Sequence, residues 1–332
     1  MNNKYILLLL VCIFSWSCKS TPPEYDGYDF PDGKPTDEVV NGKYPKGLSV
    51  DTVVLSLGDN LSAFIVYATV DFAKNNKLRF SPVHSVTAQK PSAFLSHYNT
   101  NNQKAYIATN GGYFWQGSSL SLLVSNGVVK SIENQTVIRD GVTVYPVRSS
   151  FGQMQNGSFE TAWIYCVTDD NNKPYSFSSP LGNDERTKTY MPNPPTSKTN
   201  SAVKWLPVNS IGGGPMLVKD SINVATENYW KEVFDGGGIA GTSRQPRTAI
   251  GVTGKGKLIL MVVDGRNSNG SSGLTLSEVA AYMLSLGVKQ AINLDGGGSS
   301  VMACQDGLLT KPSDSGNVER SVPTSVIISE EL

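Results

Sequence analysis

A chain of 332 residues that sets 28 basic against 28 acidic side chains has no net charge with which to attract a polyanion, which argues against nucleic acid as a partner. With 39% hydrophobic and 17% charged residues it holds enough apolar material for a full core, and global disorder is excluded. Its 32 glycines and 18 prolines predict many turns and strands with few long helices.

The first eighteen residues, MNNKYILLLLVCIFSWSC, hold one early lysine and an apolar run from Tyr5 to Trp16 that stops at Ser17-Cys18. This is the pattern of a secretory signal with a short hydrophobic region, too short for a stable membrane span. A small residue directly before the cysteine resembles a bacterial lipobox, although Ser15 stands where leucine is usual. The expectation is a signal over 1–18, acylation of Cys18 and an extracytoplasmic protein on the cell envelope, at its periplasmic or outer-membrane face, held to the membrane by the lipid alone. Residues 19–46 are rich in Pro, Gly and Asp without apolar periodicity and read as a flexible tether, leaving 47–332 as the folded domain.

From Leu48 onward short strand-like runs dominate: LSAFIVYATVDF (61–72), AYIAT (105–109), SLLVSNGVVKSI (121–132) and TAWIYCV (161–167). The SNG at 125–127 signals a hairpin. PSAFLSHY (91–98) is a short helix candidate, and the polar stretch 169–202 reads as a mobile flap or surface loop. TLSEVAAYMLSLG (275–287) is the clearest helix. Thr275 and Glu278 form a capping box, Leu276, Val279, Ala280, Met283 and Leu286 share a face, and Gly287 is a suitable stop. It lies between two apolar runs, KLILMVVD (257–264) and KQAINLD (289–295), a βαβ pattern with parallel strands. The fold class is therefore α/β to α+β, a single strand-rich domain with a mixed sheet, few helices and one βαβ unit near the C-terminus. Parallel strands end at one sheet edge, so Asp264 and Asp295 should emerge together where such proteins commonly bind ligands.

The chemistry follows from what surrounds those acids. In LDGGGSS the three glycines Gly296, Gly297 and Gly298 let several amides approach an anion with no Cβ in the way. The loop is neither a Walker loop nor GxGxxG, so no nucleotide is implied, and a tight turn capped by Asp295 is the competing reading. Arg244 and Arg247 in SRQPRTAIGV offer a basic partner, and Arg247 is taken as a bidentate phosphate ligand. Arg266 in DGR fits a site or a turn with a structural salt bridge. Cys166 and Cys304 read as buried free thiols rather than a disulfide. Only His84 and His97 occur, with no CxxC, HxH or HExxH, so no metal, cofactor or serine–histidine triad is expected. His84 itself reads as a packed or surface residue.

In chain order, NGGYF (110–114), GGGPMLVKD (212–220), RTAIGV (247–252), LILMVVDGR (258–266), GLTLSEVAAYMLSLG (273–287), AINLDGGGSSVM (291–302) and PSDSGNVERSV (312–322) resemble the phosphodiester glycosidase family, over about Val70 to the C-terminus. Ser221 departs from the glycine expected after KD, and 169–202 has no counterpart. The resemblance implies hydrolysis of a sugar-1-phosphodiester of the N-acetylglucosamine-1-phospho type, freeing the sugar and leaving a phosphomonoester. Asp295 or Asp264 would activate water or attack the anomeric carbon, and Arg247 with the Gly296–Gly298 amides would hold the phosphate. Asn110 would orient a sugar hydroxyl or N-acetyl group. The motif positions Gly111, Gly213, Gly214, Thr248, Arg266, Asn293 and Ser299 would complete the binding shell. A non-catalytic glycan-binding envelope lipoprotein is the alternative, and a purely structural envelope protein is disfavoured by the converging polar motifs.

Overall fold

Three sheets share one core in the computed structural model, which describes residues 43–332 except Gly237. Cys18, the signal segment and residues 19–42 of the expected tether lie outside the described residues.

The sheet that carries the site has seven strands. In spatial order they are Leu48–Ser56, Ser62–Val70, Leu258–Val263, Arg247–Thr253, Val288–Asn293, Met216–Lys219 and Ile222–Asn223. Its third strand, LILMVV, is an interior strand buried at every position. A continuous apolar run, rather than alternation, is what a strand covered on both faces requires. Leu258, Leu260 and Val262 face the shared core. The helix Leu276–Ser285 packs against the neighbouring strands Arg247–Thr253, Val288–Asn293 and Met216–Lys219. Its capping box is formed as the sequence predicts: Thr275 Oγ1 accepts from Glu278 N–H at 3.1 Å and Glu278 Oε2 accepts from Thr275 N–H at 2.8 Å. Leu276, Val279, Ala280 and Met283 are buried, and Gly287 ends the turn at φ +78°.

Strands Leu258–Val263 and Val288–Asn293 run in the same direction, as the βαβ reading requires, but they are not neighbours. Strand Arg247–Thr253 lies between them and pairs antiparallel with both, Arg247 opposite Val263 and Ala249 opposite Asn293. The strand that enters at Arg247 thus starts at the edge where the other two end. Arg247, Asp264 and Asp295 therefore reach a common edge.

The second seven-stranded sheet includes Phe159–Val167, Arg148–Gln153 and Asn209–Gly212; the third, of five strands, includes Gln103–Asn110 and Val322–Glu331. Phe80, Ile107, Phe151, Ile211, Ile250, Leu260, Ile292 and Val326 from the three sheets meet in the core. α1 (Pro91–Tyr98) forms where expected, as does the hairpin turn at Asn126-Gly127, both residues at positive φ. Cys166 and Cys304 are free and buried.

The segment 169–202 departs from the flap reading. Lys173–Phe177 is a strand paired with Phe159–Val167, and the remainder is fastened to the body. Asn183 is buried, donating to Tyr145 O at 2.9 Å and accepting from Met191 N–H at 3.0 Å. The rest of the segment stays largely at the surface, and polarity alone does not show that Asn183 bonds back to the protein.

Candidate active site

At the shared edge opens a cleft of about 710 Å³. Its walls come from the loop after strand Gln103–Asn110, the segments around Arg139 and Arg148, residues 234–247, Arg266, the 293–298 turn and Arg320.

Asp295 is the one carboxylate among the lining residues. Its backbone is fixed from two sides, donating N–H to Gly111 O at 3.1 Å and accepting at its own carbonyl from Asn110 Nδ2 at 2.6 Å. Oδ1 accepts from Gly296 N–H at 2.9 Å. Burial pushes the carboxyl up to about 6, partly opposed by the Ser299 hydroxyl, the Gly296 amide and the nearby charge of Arg320.

Five arginines line the cleft: Arg139, Arg148, Arg247, Arg266 and Arg320. Two are already paired behind the wall, Arg139 with Glu185 at 2.6 Å and Arg320 bidentately with Asp314 at 2.8 and 2.9 Å. Among the described residues Arg148, Arg247 and Arg266 make no carboxylate ion pair. Arg148 lies over the Phe234 ring, 4.4 Å from its centroid, and donates to Glu232 O and Val233 O. Arg266 donates to Gln245 Oε1 at 3.0 Å. Burial lowers Arg148 and Arg247 to about 10, so both remain cations at neutral pH. Three such cations facing one carboxylate make an anion-binding cleft.

Arg247 does not sit as an open fork. It is 2% exposed and donates to four carbonyls: Leu274 (3.0 Å), Ile239 (2.9 Å), Ala240 (2.8 Å) and Ser243 (2.8 Å). The guanidinium organises the 239–243 wall and contributes charge, which corrects the expectation of a bidentate phosphate ligand. Arg244 is turned away from the cleft and pairs with Glu278 at 2.7 Å.

The glycine turn also differs from a free nest. Gly296 N–H is engaged by Asp295 and Gly297 N–H donates to Pro246 O at 3.0 Å. Gly297 has φ +59°, and a Cβ on Gly298 would stand 1.8 Å from Asp314 Oδ1 and 2.3 Å from Arg320 Nη2. Gly298 therefore lets the Arg320–Asp314 pair pack directly against the turn, while Gly297 lies beside Arg266.

Asn293 forms the floor. It is 1% exposed, and Nδ2 faces Leu294 O (2.6 Å), Gly214 O (3.2 Å) and the Tyr113 hydroxyl (2.8 Å). That orientation leaves Oδ1 buried with no partner, a group that favours a donor on a ligand.

The remaining expected residues do not line the cleft. Asn110 is wholly buried; besides Asp295 O, its Oδ1 accepts from Thr248 Oγ1 at 2.8 Å and Val301 N–H at 3.3 Å. It positions the Asp295 backbone and has no free group for a sugar. Gly111 and Gly214 bond the same strand end, Gly213 donates to Ser149 O at 3.0 Å, and Ser299 Oγ accepts from Arg320 at 3.2 Å. Asp264 reaches the predicted edge, but its carboxylate accepts from Lys311 N–H at 3.0 Å and Asn269 Nδ2 at 2.7 Å and is buried outside the cleft. Asp264→Asn is accordingly expected to keep activity within about threefold and to shift Tm by only a few degrees at neutral pH, because burial pushes this carboxyl up to about 6 and losing its charge offsets the amide NH2 that must face the Lys311 N–H or give up the bond to Asn269. Denaturant melts and rates measured together check this.

Sequence reasoning did not assign roles to Arg320, Arg148, Arg139, Glu232 or Trp115. Arg320 lies inside a quoted motif, VERSV, so a signal existed. Arg148 and Arg139 carry none, because sheet packing brings them in. Arg139 is held partly by Glu185 of the 169–202 segment, which thereby borders the cleft. Glu232 is fully buried and accepts from Ser149 N–H and Oγ, Trp163 Nε1 and Met216 N–H at 2.8 to 3.0 Å; burial pushes it up to about 7. It ties the wall under Arg148.

Solved structures share this fold, and known sequences share part of this chain. The catalytic domain of zebrafish N-acetylglucosamine-1-phosphodiester alpha-N-acetylglucosaminidase superposes with a TM-score of 0.57 at 19% identity, over 86% of this chain and 84% of that one. A putative exported protein of Burkholderia pseudomallei gives 0.54 at 18% identity, over 80% of this chain and 74% of that one. In sequence, the Bos taurus enzyme of the same name is 44% identical over 68 residues, 20% of this chain and 12% of that protein. The uncharacterized Bacillus subtilis prophage protein YomE is 36% identical over 122 residues, 36% of this chain and 17% of that protein. The matched part thus spans less than a fifth of either curated relative's length. The family model for phosphodiester glycosidases matches residues 103–329, which include every cleft-lining residue named above, and the chain belongs to that family.

Proposed function

We propose that the cleft hydrolyses a sugar-1-phosphodiester of the N-acetylglucosamine-1-phospho type, releasing the sugar and a phosphomonoester. The observation that carries this reading is one carboxylate facing three cations without carboxylate partners in a single cleft. A phosphate leaving group is already a weak base and needs its growing negative charge held more than it needs a proton. Arg148, Arg247 and Arg266 supply that field. Asp295, ionised above about pH 6, takes a proton from water as the water oxygen bonds to the anomeric carbon. The bond from that carbon to the phosphate oxygen breaks, its electron pair leaving with the phosphate. Direct attack of water on the anomeric carbon is a single displacement, so the sugar should be released with inverted anomeric configuration. The buried Asn293 oxygen accepts from a sugar hydroxyl or amide N–H.

The test is incubation with N-acetylglucosamine-1-phospho-methyl diester, following free sugar by mass spectrometry and its first-formed anomer by proton NMR. No free sugar, with the diester bound, would favour a glycan-binding role instead; retained configuration would make Asp295 a nucleophile.

The N-terminal pattern supports an extracytoplasmic lipoprotein anchored through Cys18. Wild-type protein should take up labelled fatty acid and partition into detergent, and Cys18→Ala should lose both. Recovery of unlabelled wild-type protein in the aqueous phase would remove the anchor.

A further inference from the structure

The segment 169–202 matches none of the family motifs, yet one of its side chains lies at the junction of two cleft walls. The first wall is a hairpin. Val137–Arg139 pairs antiparallel with Val142–Val144 through a turn at Asp140-Gly141, both residues at positive φ. Alternation along the strand sends Val137 and Arg139 to the cleft face and leaves Ile138 62% exposed. The second wall is the loop after the helix Ala225–Lys231, where Phe234, Ile239 and Ala240 line the cleft.

Glu185 joins the two. Its Oε1 accepts from Arg139 Nε at 2.6 Å and its Oε2 from Asp235 N–H at 2.6 Å, one oxygen to each wall. The carboxylate is held in place by its own segment. Asp184 and Thr189 exchange backbone bonds of 2.8 and 3.1 Å, and Glu185 N–H donates to Trp230 O at 3.3 Å. Asn183 fastens the same segment to Tyr145 O, just beyond the hairpin. The Glu185 side chain is 4% exposed and that of Arg139 19%, so water competes little for the pair. The other Arg139 nitrogens are engaged as well, Nη1 with Ile138 O at 3.1 Å and Nη2 with Val233 O at 3.4 Å. Arg139 therefore lines an anion cleft with each of its nitrogens bonded to the protein.

We infer that Glu185 is a positioning residue of the cleft: it clasps the hairpin to the 233–240 loop and withholds Arg139 from the phosphate. The anion is thereby left to Arg148, Arg247 and Arg266, and the two walls keep a fixed separation. An arginine released beside a phosphate would form charge-assisted bonds with it and draw it toward the hairpin. Such binding favours the bound ground state without serving the displacement, which depends on where the phosphate lies relative to Asp295. Only the kinetic part of this inference rests on the hydrolase reading.

The first measurement is calorimetric titration of the protein with inorganic phosphate at low salt, which requires no turnover. Glu185→Gln keeps the size of the side chain, but its carbonyl can serve one wall only and its NH2 must face a donor on the other, so the clasp opens. Phosphate should then bind about fivefold more tightly than to the wild-type protein. Adding Arg139→Gln should return the affinity to within about twofold of wild type, because the released cation is gone and the net charge is restored. With the methyl diester, Glu185→Gln should lower kcat about tenfold while KM stays level or falls. A folded Glu185→Gln protein that binds phosphate no more tightly than wild type overturns the inference, and so does tighter binding that persists in the double variant. An unchanged kcat overturns the positioning role. If Glu185→Gln does not fold, Arg139→Gln alone decides: an affinity within about threefold of wild type supports the withheld arginine, and a larger loss makes Arg139 a phosphate ligand and overturns it. If the wild-type protein cleaves no diester, the hydrolase reading falls while the phosphate titration still decides the clasp.

Discussion

Asp295→Asn is expected to lower turnover of the methyl diester by at least about a hundredfold while the fold persists. The amide keeps the size of the side chain and can still accept the Gly296 N–H at the Oδ1 position, but it cannot take a proton from water. The pH profile gives the sharper readout. Wild-type rate should rise with pH through about 6 as Asp295 ionises, and the residual rate of the variant should lack that limb. Stability has a definite sign as well. Because the folded carboxyl titrates above its ordinary 3.8, its stabilising contribution is full below that value and is lost as pH rises through about 6. At neutral pH the charged form is the unfavourable one, so the variant's Tm should stay level or rise by a few degrees. A variant that unfolds would reassign Asp295 to capping the turn, and one that turns over normally would falsify its role as the base.

Arg247→Lys should reduce stability by ~2–4 kcal/mol and activity at least about tenfold. The guanidinium serves four carbonyls at once, and an ammonium with three donors on an unbranched stem cannot reach the same set. Each buried carbonyl left without a donor costs about 1–3 kcal/mol. Three of the four belong to the cleft wall at Ile239, Ala240 and Ser243, so local order and activity should fall together. Denaturant melts and hydrogen exchange over 238–244 check the first effect, and kcat/KM the second. A variant that loses activity with melting and exchange unchanged would restore Arg247 as a direct phosphate ligand.

Much of the architecture was readable in one dimension because it rests on local physics. The capping box at Thr275 and Glu278, the hairpin at Asn126-Gly127 and the short helix at Pro91 depend on residues within a few positions of each other. The common edge for Asp264 and Asp295 followed from two apolar runs flanking a helix, and the directions were right even though strand Arg247–Thr253 intervenes. That strand was visible as a run, but no local feature states which strands it lies between.

What sequence alone determined about this protein is its strand-rich class, its family motifs and the carboxylate that stands before the glycines. The tertiary structure decided the division of labour among the motif residues. Asp264 and Asp295 look alike in sequence, each an acid and glycine after an apolar strand, yet Lys311 and Asn269 close over the first while the second stays open to the cleft. Arg148 and Arg139 enter from another sheet and from beside the 169–202 segment, and Arg247 is drawn into four carbonyls contributed by two loops. Periodicity and caps are short-range quantities that a linear pattern records. Whether a polar group faces a ligand or a neighbouring backbone depends on which distant segment packs against it, and only the assembled core determines that.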